Sequence, residues 1–115
     1  MNDYRLLIVD DDRAIRETVR AVLEDAGYTV AVAANGAEAI AKMKERPPRL
    51  VLLDLMMPVV DGFEVLDRMR EDPTLAEVQV CICSAVSGWA ASRANFVLTK
   101  PFGLADLMDL VARFG

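Results

Sequence analysis

The chain has 115 residues, of which 54% are hydrophobic and 27% are charged, as in a single globular domain with a full apolar core. Its 13 basic and 18 acidic residues give a formal charge of −5, which disfavours binding to nucleic acid or to an anionic membrane. The absence of histidine excludes histidine-based acid–base catalysis, serine–histidine triads and zinc sites that use histidine.

The first half of the sequence predicts two strands and two helices in alternation. The apolar run "YRLLIVD" predicts a strand that is buried on both faces. Four apolar residues then recur at helical spacing before a stop at Gly27: Ile15, Val19, Val22 and Leu23. "YTVAVAA" predicts the second strand. "NGAEAIAKMKERPP" predicts a second helix that is capped by Asn35, carries Glu38 in its first turn and ends before two prolines.

The second half continues the alternation. "RLVLLD" predicts the third strand, and "DGFEVLDRMRED" predicts a helix with Phe63, Leu66 and Met69 facing the core. "EVQVCICSA" and "NFVLTKPF" predict strands four and five. The last helix begins near Leu104, and one of its faces is apolar: Leu104, Leu107, Met108 and Val111. Five strands alternating with helices predict an α/β domain with a parallel sheet.

The N-terminal stretch "MNDYRLLIVDDD" has neither the pattern of a signal peptide nor that of a membrane-spanning helix. Cys81 and Cys83 would share one face of the fourth strand. We interpret them as two small buried residues rather than as a disulfide or a metal site. These features lead us to expect a cytoplasmic protein.

Polar residues stand where four of the five predicted strands end. They are Asp10, Asp11 and Asp12 after the first strand, Asp54 after the third, Ser84 after the fourth and Lys100 after the fifth. Ligands of open parallel sheets bind outside these strand ends, so we expect the polar residues to converge on one site. Clustered carboxylates repel one another unless a cation is present, and hard oxygen ligands suit Mg²⁺. Such a site matches the needs of a phosphoryl group, and a carboxylate would be its natural nucleophile.

Four stretches occur in order, each at a predicted strand end: "LLIVDDDRAIRE", "LLDLMMPVVDG", "CICSA" and "LTKPF". With them the chain resembles the receiver domain of two-component response regulators over essentially its whole length. The resemblance implies a flavodoxin-like, doubly wound α/β fold whose five-stranded parallel sheet has the order 2-1-3-4-5. It also implies that residues 1–115 form a single receiver domain.

The resemblance implies a role for each acidic residue. Asp54 is similar to the family's phosphoacceptor. Asp10 and Asp11 resemble the acidic pair that holds Mg²⁺, with Asp54 and the backbone carbonyl of Met56 as further ligands. Asp12 would be a neighbour of these ligands. Read without the resemblance, the acidic run could instead be a capping cluster for the first helix.

The remaining implied roles concern the phosphoryl group and the partners. Ser84 would bind the phosphoryl group and Lys100 would pair with the acyl phosphate.

The implied function is a signalling module that accepts a phosphoryl group from a histidine kinase or a histidine phosphotransfer protein and acts on a downstream protein target. It would not be an enzyme, although it assists its own phosphorylation and dephosphorylation. We expect no direct contact with nucleic acid or membrane, and a monomer or a phosphorylation-dependent dimer. The length implies a stand-alone regulator or a piece of a larger protein.

The sequence departs from the family pattern at two places. Only fifteen residues, 85–99, separate Ser84 from Lys100, which leaves room for about two helical turns besides the fifth strand. We therefore expect the family's fourth helix to be shortened or irregular, and partner recognition to be unusual. The family's switch aromatic corresponds to Val97, with Phe96 beside it on the opposite face of the strand.

Two apolar residues would flank the phosphoryl group. Met56 lies two residues after Asp54, and Val86 lies two residues after Ser84. Neither side chain can orient an attacking water molecule, so we predict slow self-dephosphorylation.

Two other functions remain open on the sequence. Asp10 and Asp12 form a D-x-D pattern similar to that of haloacid-dehalogenase-like phosphohydrolases, although Ala14 stands where that pattern has threonine or valine. Alternatively, the domain is a receiver-like binding module that works without phosphorylation.

Overall fold

The computed structural model of the protein describes residues 5–54, 62–84, 96–99 and 103–114. Its elements, in chain order, are β1 (Arg5–Val9), α1 (Arg13–Asp25), β2 (Thr29–Ala33), α2 (Gly36–Glu45), β3 (Leu50–Leu53), α3 (Gly62–Glu71), β4 (Gln79–Ser84), β5 (Phe96–Thr99) and α4 (Leu104–Phe114). The predicted alternation of strands and helices is confirmed. The family's fourth helix would fall between β4 and β5, on residues outside the described ones, so its predicted shortening stays a prediction.

The five strands form one parallel sheet in the order β2-β1-β3-β4-β5. This is the doubly wound, flavodoxin-like order, in which the chain reverses its direction of travel between β1 and β3. β1 and β3 are paired with Val9 opposite Leu53. The carboxyl ends of these two neighbouring strands therefore meet at the point where such sheets bind their ligands.

The sheet has an apolar core on each face, which explains the continuous hydrophobic runs. In β1, Leu7 and Val9 pack on the side of α2 and α3, whereas Leu6 and Ile8 pack on the side of α1 and α4. All four side chains are at most 3% exposed. A strand that is buried on both faces has no solvent face to mark with polar residues, so the alternation typical of half-buried strands is missing.

Helices α1 and α2 each begin at a residue whose side chain accepts hydrogen bonds from free backbone N–H groups. The carboxylate of Asp12 accepts hydrogen bonds from the N–H groups of Ala14 and Ile15, at 2.9 and 3.2 Å, and so caps α1. Asn35 caps α2 as predicted, with its side-chain oxygen 2.8 Å from the N–H of Glu38.

The cysteines behave as the sequence predicted. Cys81 and Cys83 are both free thiols, 0% and 6% exposed, and they lie on the same face of β4 in the core beside α1 and α4. Their sulfur atoms are 3.9 Å apart.

Within the described part of the chain, none of the helices is both long enough and apolar enough to cross a membrane.

Candidate functional site

The pairing of β1 with β3 places two aspartates side by side. Asp10 and Asp54 each follow the last residue of a strand, and those residues, Val9 and Leu53, are register partners. The N–H of Asp54 donates to the carbonyl of Val9 at 2.9 Å, and the N–H of Asp10 donates to the carbonyl of Ala33 in β2 at 3.2 Å. The sheet therefore holds the backbone of both residues at its carboxyl edge.

Asp10, Asp11 and Asp54 bring their carboxylates together. One oxygen from each lies within 4.8 Å of the other two. Asp10 and Asp54 are only 4% and 7% exposed, whereas Asp11 faces solvent. Three like charges at this spacing repel one another, and burial weakens the screening by water. Three carboxylate oxygens, one of them on an exposed residue, suit Mg²⁺, which prefers a few protein oxygens and retains several water molecules. The donor set therefore fits a magnesium ion.

Asp10 is held through its backbone N–H, its carbonyl oxygen and one of its carboxylate oxygens. Besides the bond from its N–H to β2, its carboxylate oxygen Oδ1 accepts the N–H of Asp12 at 2.9 Å. Its carbonyl oxygen accepts the Nη1 group of Arg16 at 2.9 Å. Arg16 is half-buried on the first turns of α1. The sequence interpretation did not include this arginine.

The acidic run divides between two tasks. Asp10 and Asp11 join Asp54 in the cluster, while the side chain of Asp12 turns to the first turn of α1 and caps it. That Asp12 is a neighbour of metal ligands stays a prediction. The capping interpretation of the run applies to Asp12.

The other predicted site residues are described only in part or not at all. Ser84 ends β4 at the same edge of the sheet, two residues beyond Ile82, which is the register partner of Leu53. Phe96 and Val97 begin β5. For these three residues the structure describes the backbone and not the side chain. Lys100, Met56 and Val86 lie outside the described residues, so their assigned roles stay predictions.

A second polar feature is a groove of about 350 Å³ between the ends of α2 and α3. It lies near the start of β4, which is the opposite edge of the sheet from the aspartate cluster. Its lining includes Lys44 and Asp72. Hydrogen bonds from the side chain and backbone of Thr74, and more weakly the charge of Lys44, lower the pKa of Asp72. This carboxyl group takes no part in the cluster.

Comparison with known proteins identifies the arrangement. The family model described as "Response regulator receiver domain" matches residues 6–112. The chain belongs to this family. Receiver domains are signalling modules of two-component response regulators, and they bind Mg²⁺ at an acidic pocket such as the one formed here by the three aspartates.

Sequence relatives and similar solved structures support this family assignment. This receiver domain is 40% identical, over 95% of its length, to the DNA-binding dual master transcriptional regulator RpaA of a Synechocystis species. It spans about half the length of the first curated relatives it matches, 46% in the case of RpaA.

Its fold is similar to that of the chemotaxis protein CheY4 of Vibrio cholerae, with a TM-score of 0.89, 30% identity and coverage of 97% and 98% of the two chains. It is also similar to the response regulator TrrA of Thermotoga maritima, solved in complex with Mg²⁺ and BeF. That comparison has a TM-score of 0.85, 30% identity and coverage of 96% and 97%.

Proposed function

We propose that this receiver domain accepts a phosphoryl group on Asp54 in a Mg²⁺-dependent reaction, from a histidine kinase or a histidine phosphotransfer protein. The observation that carries the proposal is the position of Asp54. It stands at the carboxyl end of the central strand β3, is 7% exposed, and has the carboxylates of Asp10 and Asp11 within 4.8 Å. A buried carboxylate beside two others is costly unless a cation or hydrogen-bond donors compensate its charge.

The chemistry assigned to Asp54 is nucleophilic. One of its carboxylate oxygens attacks the phosphorus of a phosphohistidine, and an O–P bond forms while the N–P bond breaks. The electron pair of the broken bond stays on the imidazole nitrogen, which then takes up a proton from solvent. The backbone bond from Asp54 to Val9 fixes the strand end that carries the nucleophile. Mg²⁺, when bound, neutralises charge on the phosphoryl oxygens.

The finer assignments belong to the same proposal. Asp10, Asp11, Asp54 and the backbone carbonyl of Met56 hold Mg²⁺, Ser84 and Lys100 contact the phosphoryl oxygens, and output passes to a downstream protein target. The complex of the similar protein TrrA with Mg²⁺ and BeF supports Mg²⁺ binding by this receiver domain. Slow self-dephosphorylation, the departure from the family's aromatic switch at Phe96 and Val97, and a cytoplasmic location stay predictions.

Intact mass spectrometry after incubation with acetyl phosphate tests the proposal. The wild-type protein should gain one phosphoryl group in the presence of Mg²⁺ and none when EDTA removes the metal. Asp54→Asn should gain none under either condition, because the amide is not a nucleophile for phosphorus. Asp11→Asn should gain much less than wild type, because it removes one of the three carboxylates of the cluster.

The matched control is Asp12→Asn, which changes the adjacent aspartate and keeps an oxygen that can cap α1. Phosphorylation of this variant should resemble that of wild type. Its failure, together with phosphorylation that persists in Asp54→Asn, would favour the D-x-D phosphohydrolase interpretation, which needs Asp10 and Asp12. No gain of mass in any protein would favour a binding module that works without phosphate.

A further inference from the structure

The side chain of Arg16 reaches back from α1 to the end of β1. Asp12 is the N-cap of α1, so Arg16 lies in the fourth helical position. Long helical side chains lean toward the N-terminus of their helix, and this direction leads from Arg16 to the strand end. There its Nη1 group donates to the carbonyl oxygen of Asp10 at 2.9 Å, across six positions of the sequence.

This carbonyl belongs to the peptide unit that joins Asp10 to Asp11. Because a peptide unit is planar, a bond that fixes its oxygen also fixes the nitrogen and Cα of Asp11. The N–H of Asp10 is fixed on the other side by its bond to Ala33. Asp11 faces solvent, where few packing contacts can set its direction. The orientation of the peptide before it therefore limits the positions that its carboxylate can reach.

We propose that Arg16 is a positioning residue for the metal site, which holds Asp10 and Asp11 in the arrangement that binds Mg²⁺. The proposal rests on the function proposed above, since it concerns the same cluster. Arg16 does not touch the phosphoryl group or the nucleophile in this account. It acts through the backbone of the acidic pair, as the outer partners of metal ligands do.

The sign of the effect separates positioning from simple charge. Arg16 carries a positive charge close to a cation site. If that charge were its only influence, removing it would relieve repulsion and tighten the binding of Mg²⁺. If Arg16 positions the acidic pair, removing it weakens the binding, by about 10-fold if it behaves as outer-shell partners generally do.

Isothermal titration calorimetry with Mg²⁺ alone tests this on wild type, Arg16→Met, Arg16→Lys and Arg20→Met. Arg20 is the matched control, because it lies one turn further along α1 and its Nε group pairs with Glu24 at 3.2 Å instead of reaching the strand. A second readout is the hydrogen exchange of the Asp12 amide without metal, followed by NMR. That amide donates to Asp10 Oδ1 and reports whether the pair keeps its geometry.

We expect Arg16→Met to bind Mg²⁺ about 10-fold more weakly and to exchange the Asp12 amide faster. Arg16→Lys, which keeps the charge and a donor, should recover part of both losses, and Arg20→Met should match wild type. Binding by Arg16→Met that is as tight as or tighter than that of wild type would overturn the proposal. A titration of Asp11→Asn with Mg²⁺ separates failure of the positioning role of Arg16 from failure of the proposed metal site. If wild type binds no Mg²⁺, or binds it equally well without the Asp11 carboxylate, the proposed metal site itself fails.

Discussion

Three consecutive aspartates have the same side chain but different structural roles, because the backbone position of each residue differs. Asp10 continues a buried strand and is 4% exposed, Asp11 stands beyond the strand and faces solvent, and Asp12 caps a helix. Each has the same carboxylate and a different backbone environment. The strand end, the open edge of the sheet and the helix N-terminus assign the three roles.

The capping role of Asp12 predicts a loss of stability that is independent of metal. Asp12→Ala removes the acceptor of two backbone N–H groups, from Ala14 and Ile15. The free energy of unfolding should fall by about 1 kcal/mol, measured by urea denaturation without Mg²⁺. Asp12→Asn retains an acceptor oxygen and should lose clearly less. Equal losses in the two variants would show that charge, and not the capping hydrogen bonds, is what Asp12 contributes.

The sequence predicts the part of the candidate site that follows from strand topology. Apolar runs that end in a charge located Asp10 and Asp54, and parallel pairing brought them together. Arg16 was not predictable in the same way, because its contact joins a helix side chain to a backbone carbonyl six residues earlier. Such a contact leaves no periodic signal. The available clue was an arginine in the second turn of a helix that begins directly after an acidic run.

At the scale of the element, α1 ends in a complete Schellman motif. The N–H of Gly27 donates to the carbonyl of Glu24 at 3.0 Å, and the N–H of Tyr28 donates to that of Leu23 at 3.1 Å. Gly27 has a φ of 100°, which side chains rarely tolerate. Leu23 and Tyr28 also pack in the same core. This turn directs the chain from α1 into the edge strand β2.

Gly27→Ala should destabilise the protein although space is available for the methyl group. Nothing lies within 4 Å of a Cβ atom placed at Gly27, so the cost is backbone strain and not a clash. We expect a loss of about 1–2 kcal/mol in the free energy of unfolding, measured by urea denaturation. Gly27→Asn should lose less, because asparagine tolerates positive φ better than alanine. An alanine variant as stable as wild type would mean that this turn relaxes to an ordinary conformation.

The elements themselves were predictable because each carries a local signal. Asn35 and Gly27 mark a helix start and a helix end, and the four buried residues of β3 form a continuous apolar run. The partner of Glu38 was less accessible to sequence reasoning. In a capping box this side chain would bond the N–H of Asn35, whereas here it accepts the N–H of Ala34 at 3.4 Å and pairs with Lys42 at 3.2 Å. Where a side chain has several possible partners, the packing around it determines which of them it bonds.

At the scale of the whole molecule, the aspartate cluster is joined to the centre of the sheet. Its members extend β1 and β3, the second and third strands of five, and these strands contribute residues to the apolar cores on both faces. Repulsion among the three carboxylates therefore acts on two neighbouring strands in the interior of the sheet. A cation that binds the folded cluster should stabilise the entire domain by mass action.

We therefore predict that Mg²⁺ raises the melting temperature. At a concentration 100 times its dissociation constant, a ligand specific for the folded state adds about 2.7 kcal/mol to the free energy of unfolding. For a domain of this size, that gain corresponds to an increase of about 10 °C, measured by circular dichroism. Sodium chloride at equal ionic strength should give a much smaller increase, and EDTA should restore the original value.

The variants Asp11→Asn and Asp54→Asn test this prediction, because they should change two quantities in opposite directions. The melting temperature without metal should rise, and the increase caused by Mg²⁺ should become smaller. Each removes a negative charge from the cluster, so the metal-free protein should melt at a higher temperature than wild type. Each also removes a ligand, so the added stability from Mg²⁺ should shrink. Asp109→Asn, on the exposed side of α4, is the matched control and should change neither quantity. A metal-free melting temperature that falls in both cluster variants would show that these carboxylates stabilise the empty site, and that repulsion is not the dominant interaction among them.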